Sequence, residues 1–118
     1  EKVLVDGGVL SPIPVSVLKN KCNFIIAVNI PQNKYSELAA KSKMYDLKVR
    51  ADLIISNRLK YFETKDADFI LKPDTMGTHW SNFQKFEDLV KSGKNEVEMK
   101  MEKLGSMLQM DKNNINKE

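Results

Sequence analysis

The segment Phe24-Ile25-Ile26-Ala27-Val28-Asn29-Ile30 is apolar except for Asn29. A strand with one wet face alternates polar and apolar residues, so an unbroken run of this kind marks a strand covered on both faces, as in a parallel sheet flanked by helices. Upstream, Val3-Leu4-Val5 reads as a short strand ended at Asp6-Gly7-Gly8, where glycine opens backbone conformations closed to other residues. Pro12 and Pro14 then precede Val15, Val17 and Leu18. Proline is tolerated in a first helical turn, and this predicts a helix from about Pro14 to Asn20. Strand, helix and strand within thirty residues form a βαβ unit.

After a polar loop from Pro31 to Ser36, the pattern turns helical from Glu37 to about Phe62. Leu47, Ala51, Ile54, Ile55, Leu59 and Phe62 recur at spacings of three and four, opposite Lys48, Arg50, Asp52 and Arg58. Phe69-Ile70-Leu71 is a second short strand, stopped by Pro73. Beyond a loop carrying Gly77, His79 and Trp80, Ser81-Asn82-Phe83-Gln84 matches a capping box that opens a further helix, expected to break near Gly93. A last helix has the stripe Val97, Met101, Leu104 and Leu108 and contains Gly105, which costs about 1 kcal/mol relative to alanine. Residues 1–110 are thus expected to form one α/β unit, and the polar tail 111–118 to be disordered.

The chain of 118 residues suits one domain. With 42% hydrophobic and 30% charged residues it is neither a disordered sequence nor, with Phe24 to Val28 as its longest apolar run, a source of a membrane-spanning helix, which needs about 18 apolar residues. The chain opens on Glu1-Lys2 without Met and without a signal pattern, and is expected to be a piece of a longer protein. Cys22 is the only cysteine, so no internal disulfide can form. A reducing compartment is the easier reading, with a cytoplasmic or peripheral membrane location expected over secretion. Beside the Phe24-Ile25-Ile26 run, Cys22 is expected to be a buried small hydrophobe. The net charge of +3 is spread among acids, which argues against a nucleic-acid partner.

In an open α/β sheet, ligand chemistry gathers at the carboxyl ends of the strands, and Asp6 sits at such an end. Its carboxylate, flanked by glycines that let another backbone or a substrate approach, could serve as a general base, orient a partner or bind a metal. The plainer reading is a turn, since Asp and Gly dominate turns, and composition alone favours it. Lone His79 is a poor metal site. Asp66, Asp68 and Asp74 flank the second strand, where a solvated rim is favoured over a cation site. Lys41, Lys43, Lys48 and Arg50 could touch an anionic membrane surface, although such residues usually keep a helix solvated. The five glycines stand at 7, 8, 77, 93 and 105, so neither a G-x-S-x-G elbow nor a P-loop can be written. No cofactor is expected.

Three ordered features together resemble the carboxy-terminal half of the bacterial patatin-like phospholipases. Asp6-Gly7-Gly8 is similar to that family's D-G-G or D-G-A turn, followed by Ser11-Pro12-Ile13-Pro14 and the strand Asn23-Phe24-Ile25-Ile26-Ala27-Val28. Residues 66–74, "DADFILKPD", resemble its late strand, and residues 82–93, "NFQKFEDLVKSG", a helix close behind. The likeness covers roughly residues 2–108. It implies part of a three-layer α/β/α sheet of mostly parallel strands. It also implies a serine hydrolase of acyl esters, usually of lipids, with a Ser-Asp dyad and no histidine, in which the Asp of the D-G-G turn takes the proton of the serine. Carried over, that residue is Asp6. The family's nucleophile and glycine-rich oxyanion loop precede this turn and are absent here, so this chain alone is expected to be inactive. The alternative is a non-catalytic interaction module derived from such a hydrolase, whose exposed strand edges pair with another copy.

Overall fold

The structure, a computed structural model, describes residues 2–31, 43–79 and 81–115, with side chains as far as residue 110. Trp80, Lys41, most of the Pro31 to Ser36 loop and the expected helix start at Glu37 lie outside the described residues. The fold is α/β: strand β1 (Ile26–Val28), helix α1 (Met44–Glu63), strand β2 (Phe69–Leu71) and helix α2 (Phe86–Ile115). The strands are parallel neighbours in the register Ile26 to Phe69, Ala27 to Ile70 and Val28 to Leu71. Asp68 pins this register, because its carboxylate accepts the Ile25 N–H at 2.7 Å while the Asp68 and Phe69 N–H groups donate to the Ile25 carbonyl at 3.0 and 3.2 Å. The βαβ unit of the chain is therefore β1-α1-β2, one step later than the sequence reading placed it.

Upstream of β1 the expectations need correcting. Residues 3–5 belong to no strand, and Val3, Leu4 and Val5 are almost fully exposed. The expected helix from Pro14 to Asn20 is a single 3-10 turn, Val15–Val17. A helix nucleus is costly, and here Pro14 (φ −74°, ψ 57°) lies outside the helical region at one end while Asn20 turns left-handed at φ 67° at the other. Burying Val15 beside Ile13 decides the local structure instead.

The core consists of Ile13, Val15, Ile25 and Ala27, with Ala67 against it, and Phe69 is buried as well. Ile25 and Ala27 point into this cluster, whereas Ile26 and Val28 are 44% and 51% exposed. β1 is thus covered on one face only, contrary to the two-sided burial that its composition predicts. Cys22 is exposed, not buried, because it lies in the turn that leads into the strand rather than on its inward side.

α1 starts with a device the sequence reading missed: Asp46 Oδ2 accepts the Lys43 N–H at 2.9 Å, satisfying a donor at the helix start. Its apolar spacing does not make a buried face: none of the helix's residues is fully buried, and Leu47, Ala51, Ile54, Ile55 and Phe62 of the expected stripe are exposed. α2 also differs from expectation. Ser81 does not cap it, because its hydroxyl pairs with His79 Nδ1 at 2.7 Å. A 3-10 turn at Phe83–Lys85 leads into the helix, with Glu87 and Asp88 in its first turn. The helix passes through Gly93 and Gly105 without a break, so the two helices expected here are one. It is fastened to β2 by its polar side. Buried Glu96 accepts the Lys72 N–H at 2.6 Å and the Lys100 ammonium at 2.6 Å, and Lys100 also reaches the Ile70 carbonyl at 3.1 Å.

Candidate functional site

Asp6 has extended backbone (φ −60°, ψ 134°) and caps the 3-10 turn Gly7–Val9, its Oδ1 accepting the Gly8 N–H at 2.7 Å. The turn reading of the D-G-G stretch is the one seen here: Asp6 caps the turn, and that cap fixes one oxygen of its carboxylate. The reason for its glycines is not the one composition suggests. Gly77 alone among the described glycines has positive φ. A Cβ on Gly8 would instead lie 2.8 Å from Asp6 Oδ1, so position 8 is empty to make room for the carboxylate. At Gly7 nothing stands within 4 Å, which leaves open space beside the acid.

Behind this turn, Glu63 at the end of α1 holds the next segment: the Ser11 hydroxyl donates to Oε1, and the Ile13 N–H donates to Oε2 at 2.8 Å. The Asp6 turn is thereby tied to the helix that forms the facing wall. Between them runs an open groove of about 900 Å³, lined on one side by Asp6, Gly8, Val9 and Pro12. On the other side stand the α1 residues Lys48, Val49, Asp52, Leu53, Ile55, Ser56, Leu59 and Lys60. The wall is mostly apolar with charged groups spaced along it, a surface suited to a ligand with both kinds of part. Lys60 donates to the Ile30 carbonyl at 3.0 Å, just past the carboxyl end of β1. Burial holds its ammonium below the usual lysine range.

Asp6 thus follows no strand, yet shares its groove with Lys60, which reaches the carboxyl end of β1. The other sequence candidates go elsewhere. Asp66 pairs with Lys19 at 3.2 Å, Asp68 serves the strand register, and Asp74 Oδ1 accepts the Met76 N–H at 2.8 Å. Among the described residues no group of three or more His, Cys, Asp or Glu side chains could hold a metal ion. No described helix is long and apolar enough to cross a membrane. Sequence reasoning missed Lys60 and Glu63. Both lie on α1, where charge alternates with apolar residues, and only the fold tells that Lys60 lines the Asp6 groove and that Glu63 holds the segment behind it. No family model matches the chain.

Proposed function

We propose that this chain is the carboxy-terminal part of a patatin-like acyl hydrolase and that Asp6 is the base of its Ser-Asp dyad, the serine and the oxyanion loop being supplied by sequence outside these residues. One observation carries the reading: Asp6 Oδ1 is fixed by the Gly8 N–H, while among the described residues Oδ2 has no partner, with open space at Gly7 beside it. A serine hydroxyl is a weak nucleophile until a base within hydrogen-bond reach takes its proton. In the proposed reaction the Ser Oγ attacks the ester carbonyl as its proton passes to Asp6, and the proton then returns to the leaving alcohol. The apolar wall of Val49, Leu53 and Leu59 suits an acyl ester of a lipid. The exposed face of Ile26 and Val28 fits a sheet that the remainder of a three-layer α/β/α domain would cover.

A second reading, a non-catalytic interaction module, is favoured by the Val3-Leu4-Val5 segment, exposed to 93%, 86% and 76%. Three consecutive apolar residues in water call for a covering surface. Self-association would then be the activity, and a monomer in sedimentation at high concentration counts against it. The hydrolase reading is tested by ester hydrolysis in the full-length protein carrying Asp6→Asn, which should abolish turnover.

A further inference from the structure

α2 joins the sheet through polar groups, Glu96 and Lys100, and leaves its apolar side largely uncovered. Phe86, Val90, Val97, Met101, Leu104 and Leu108 run along that side, with Gly93 at the one stripe position that carries no side chain. Phe86, Val90 and Met101 are more than half exposed, Leu108 is exposed, and Val97 and Leu104 are half-buried. A helix in water normally turns such a stripe inward.

The spacing of the stripe indicates what covers it. Its seven positions are four, three, four, four, three and four residues apart, the same read in either direction. The pattern repeats after eleven residues, close to the helical period, so the stripe follows one side of a straight helix. In an antiparallel pair of such helices, a two-fold axis at Val97 sets Phe86 against Leu108, Val90 against Leu104, Gly93 against Met101 and Val97 against its own copy. A Cβ on Gly93 would meet nothing within 4 Å, which leaves room for the opposing Met101. The charges agree with this arrangement. Beside the stripe stand Lys91 and Lys94 before Val97, and Glu98 and Glu102 after it. None of the four makes an ion pair among the described residues. In an antiparallel pair each flank meets the same flank of the other helix, so Lys94 comes beside Glu98 of the second copy and Lys91 beside its Glu102, offset by at most about two residues, roughly 3 Å, along the axis. Glu87, on the same flank, falls opposite Met107. A parallel pair would join opposite flanks, so that Lys94 never meets Glu98, and would align the two helix dipoles unfavourably.

We propose that α2 is the interface of a two-fold homodimer, in which a second copy of this chain lays its own α2 antiparallel along the stripe, centred on Val97. The pairing rests on neither reading above: it uses none of Val3-Leu4-Val5, and proton transfer at Asp6 does not enter it.

The test is sedimentation equilibrium of this chain from micromolar to near-millimolar concentration, with circular dichroism to confirm that each variant is folded. The expected result is a concentration-dependent dimer. Met101→Asp should weaken it at least about tenfold, because symmetry buries two carboxylates without partners. Lys94→Glu and Glu98→Lys should each weaken it severalfold alone, whereas an equimolar mixture of the two variants should associate as tightly as the unmodified chain, since both crossings of the mixed dimer then join opposite charges. Leu4→Ser should change nothing. A monomer at every concentration, a dimer unmoved by Met101→Asp, or a mixture no tighter than either variant alone overturns the pairing. Association lost in Leu4→Ser and kept in Met101→Asp also overturns it, while upholding the interaction-module reading through residues 3–5.

Discussion

Asp6 Oδ1 and the Gly8 N–H are joined at 2.7 Å, and the same oxygen occupies the space that a side chain on residue 8 would need, 2.8 Å from the position of its Cβ. Gly8→Ala should therefore push the carboxylate off the turn, at a cost of about 1 kcal/mol for one exposed hydrogen bond. Gly7→Ala meets nothing within 4 Å and needs no positive φ. It should leave this chain unchanged or stabilise it by about 0.5 kcal/mol through the unfolded state. Chemical denaturation of the two variants separates these outcomes, and a larger loss at Gly7 than at Gly8 would contradict this view of the turn.

Glu63 is the clamp between that turn and α1, accepting from the Ser11 hydroxyl and the Ile13 N–H with its two oxygens. In Glu63→Gln one oxygen becomes an NH2 group that cannot accept. One part-buried donor is left unmatched, and the expected cost is about 1.5–3 kcal/mol. The unfolding midpoint in urea checks this.

Met76 and Gly77 occupy the two central positions of a turn closed by the Thr78 N–H to the Thr75 carbonyl at 2.8 Å, with φ of 51° and 66°. Two positive φ values make this a type I′ turn, which prefers Asn-Gly, and the left-handed region costs an ordinary residue about 1–2 kcal/mol. Met76 is exposed, so little packing is lost on its replacement. Met76→Asn should stabilise the chain by about 1 kcal/mol, seen as a higher thermal midpoint; a lower midpoint would contradict the turn assignment.

Glu96 ties α2 to the end of β2, and hydrogen bonds from the Lys100 side chain first and the Lys72 N–H second hold its carboxyl below the usual glutamate range. A lowered folded pKa contributes stability that is fully present above the unfolded value, about 4.3, and is lost as pH falls through the folded one. Stability should thus decline on acidification below about pH 4.3, and Glu96→Gln should flatten that part of the curve. Equal slopes for the two proteins would remove Glu96 from the role.

The elements legible in the sequence were those whose residue spacing is local. Phe69-Ile70-Leu71 is a strand within the bounds its composition and Pro73 predict, and α1 and α2 follow their three- and four-residue spacing. What the sequence could not convey was which side of an apolar run meets a core. Ile26 and Val28 look the same in sequence as Ile25 and Ala27, yet only the latter pair is buried. Val3-Leu4-Val5 has strand composition but pairs with no strand among the described residues, because a strand depends on a neighbour that composition does not specify. Gly93 reads as a helix breaker, but a glycine costs only about 1 kcal/mol, too little to break a helix of this length. At the site, Asp6 could be singled out from its turn chemistry. Its neighbours Glu63 and Lys60 could not, since they come from a helix more than fifty residues downstream.

The central claim, that Asp6 is a base and not only a turn residue, is tested most directly by the initial rate of nitrophenyl butyrate hydrolysis in the full-length protein and its Asp6→Asn variant, at matched folded fractions. The substitution is clean because an asparagine carbonyl still accepts the Gly8 N–H and keeps the turn, while the amide cannot take a proton from serine. The predicted result is an unchanged unfolding midpoint with the rate lowered at least a hundredfold, the low end of what general-base catalysis supplies. A rate within a factor of two of the unmodified protein would contradict it.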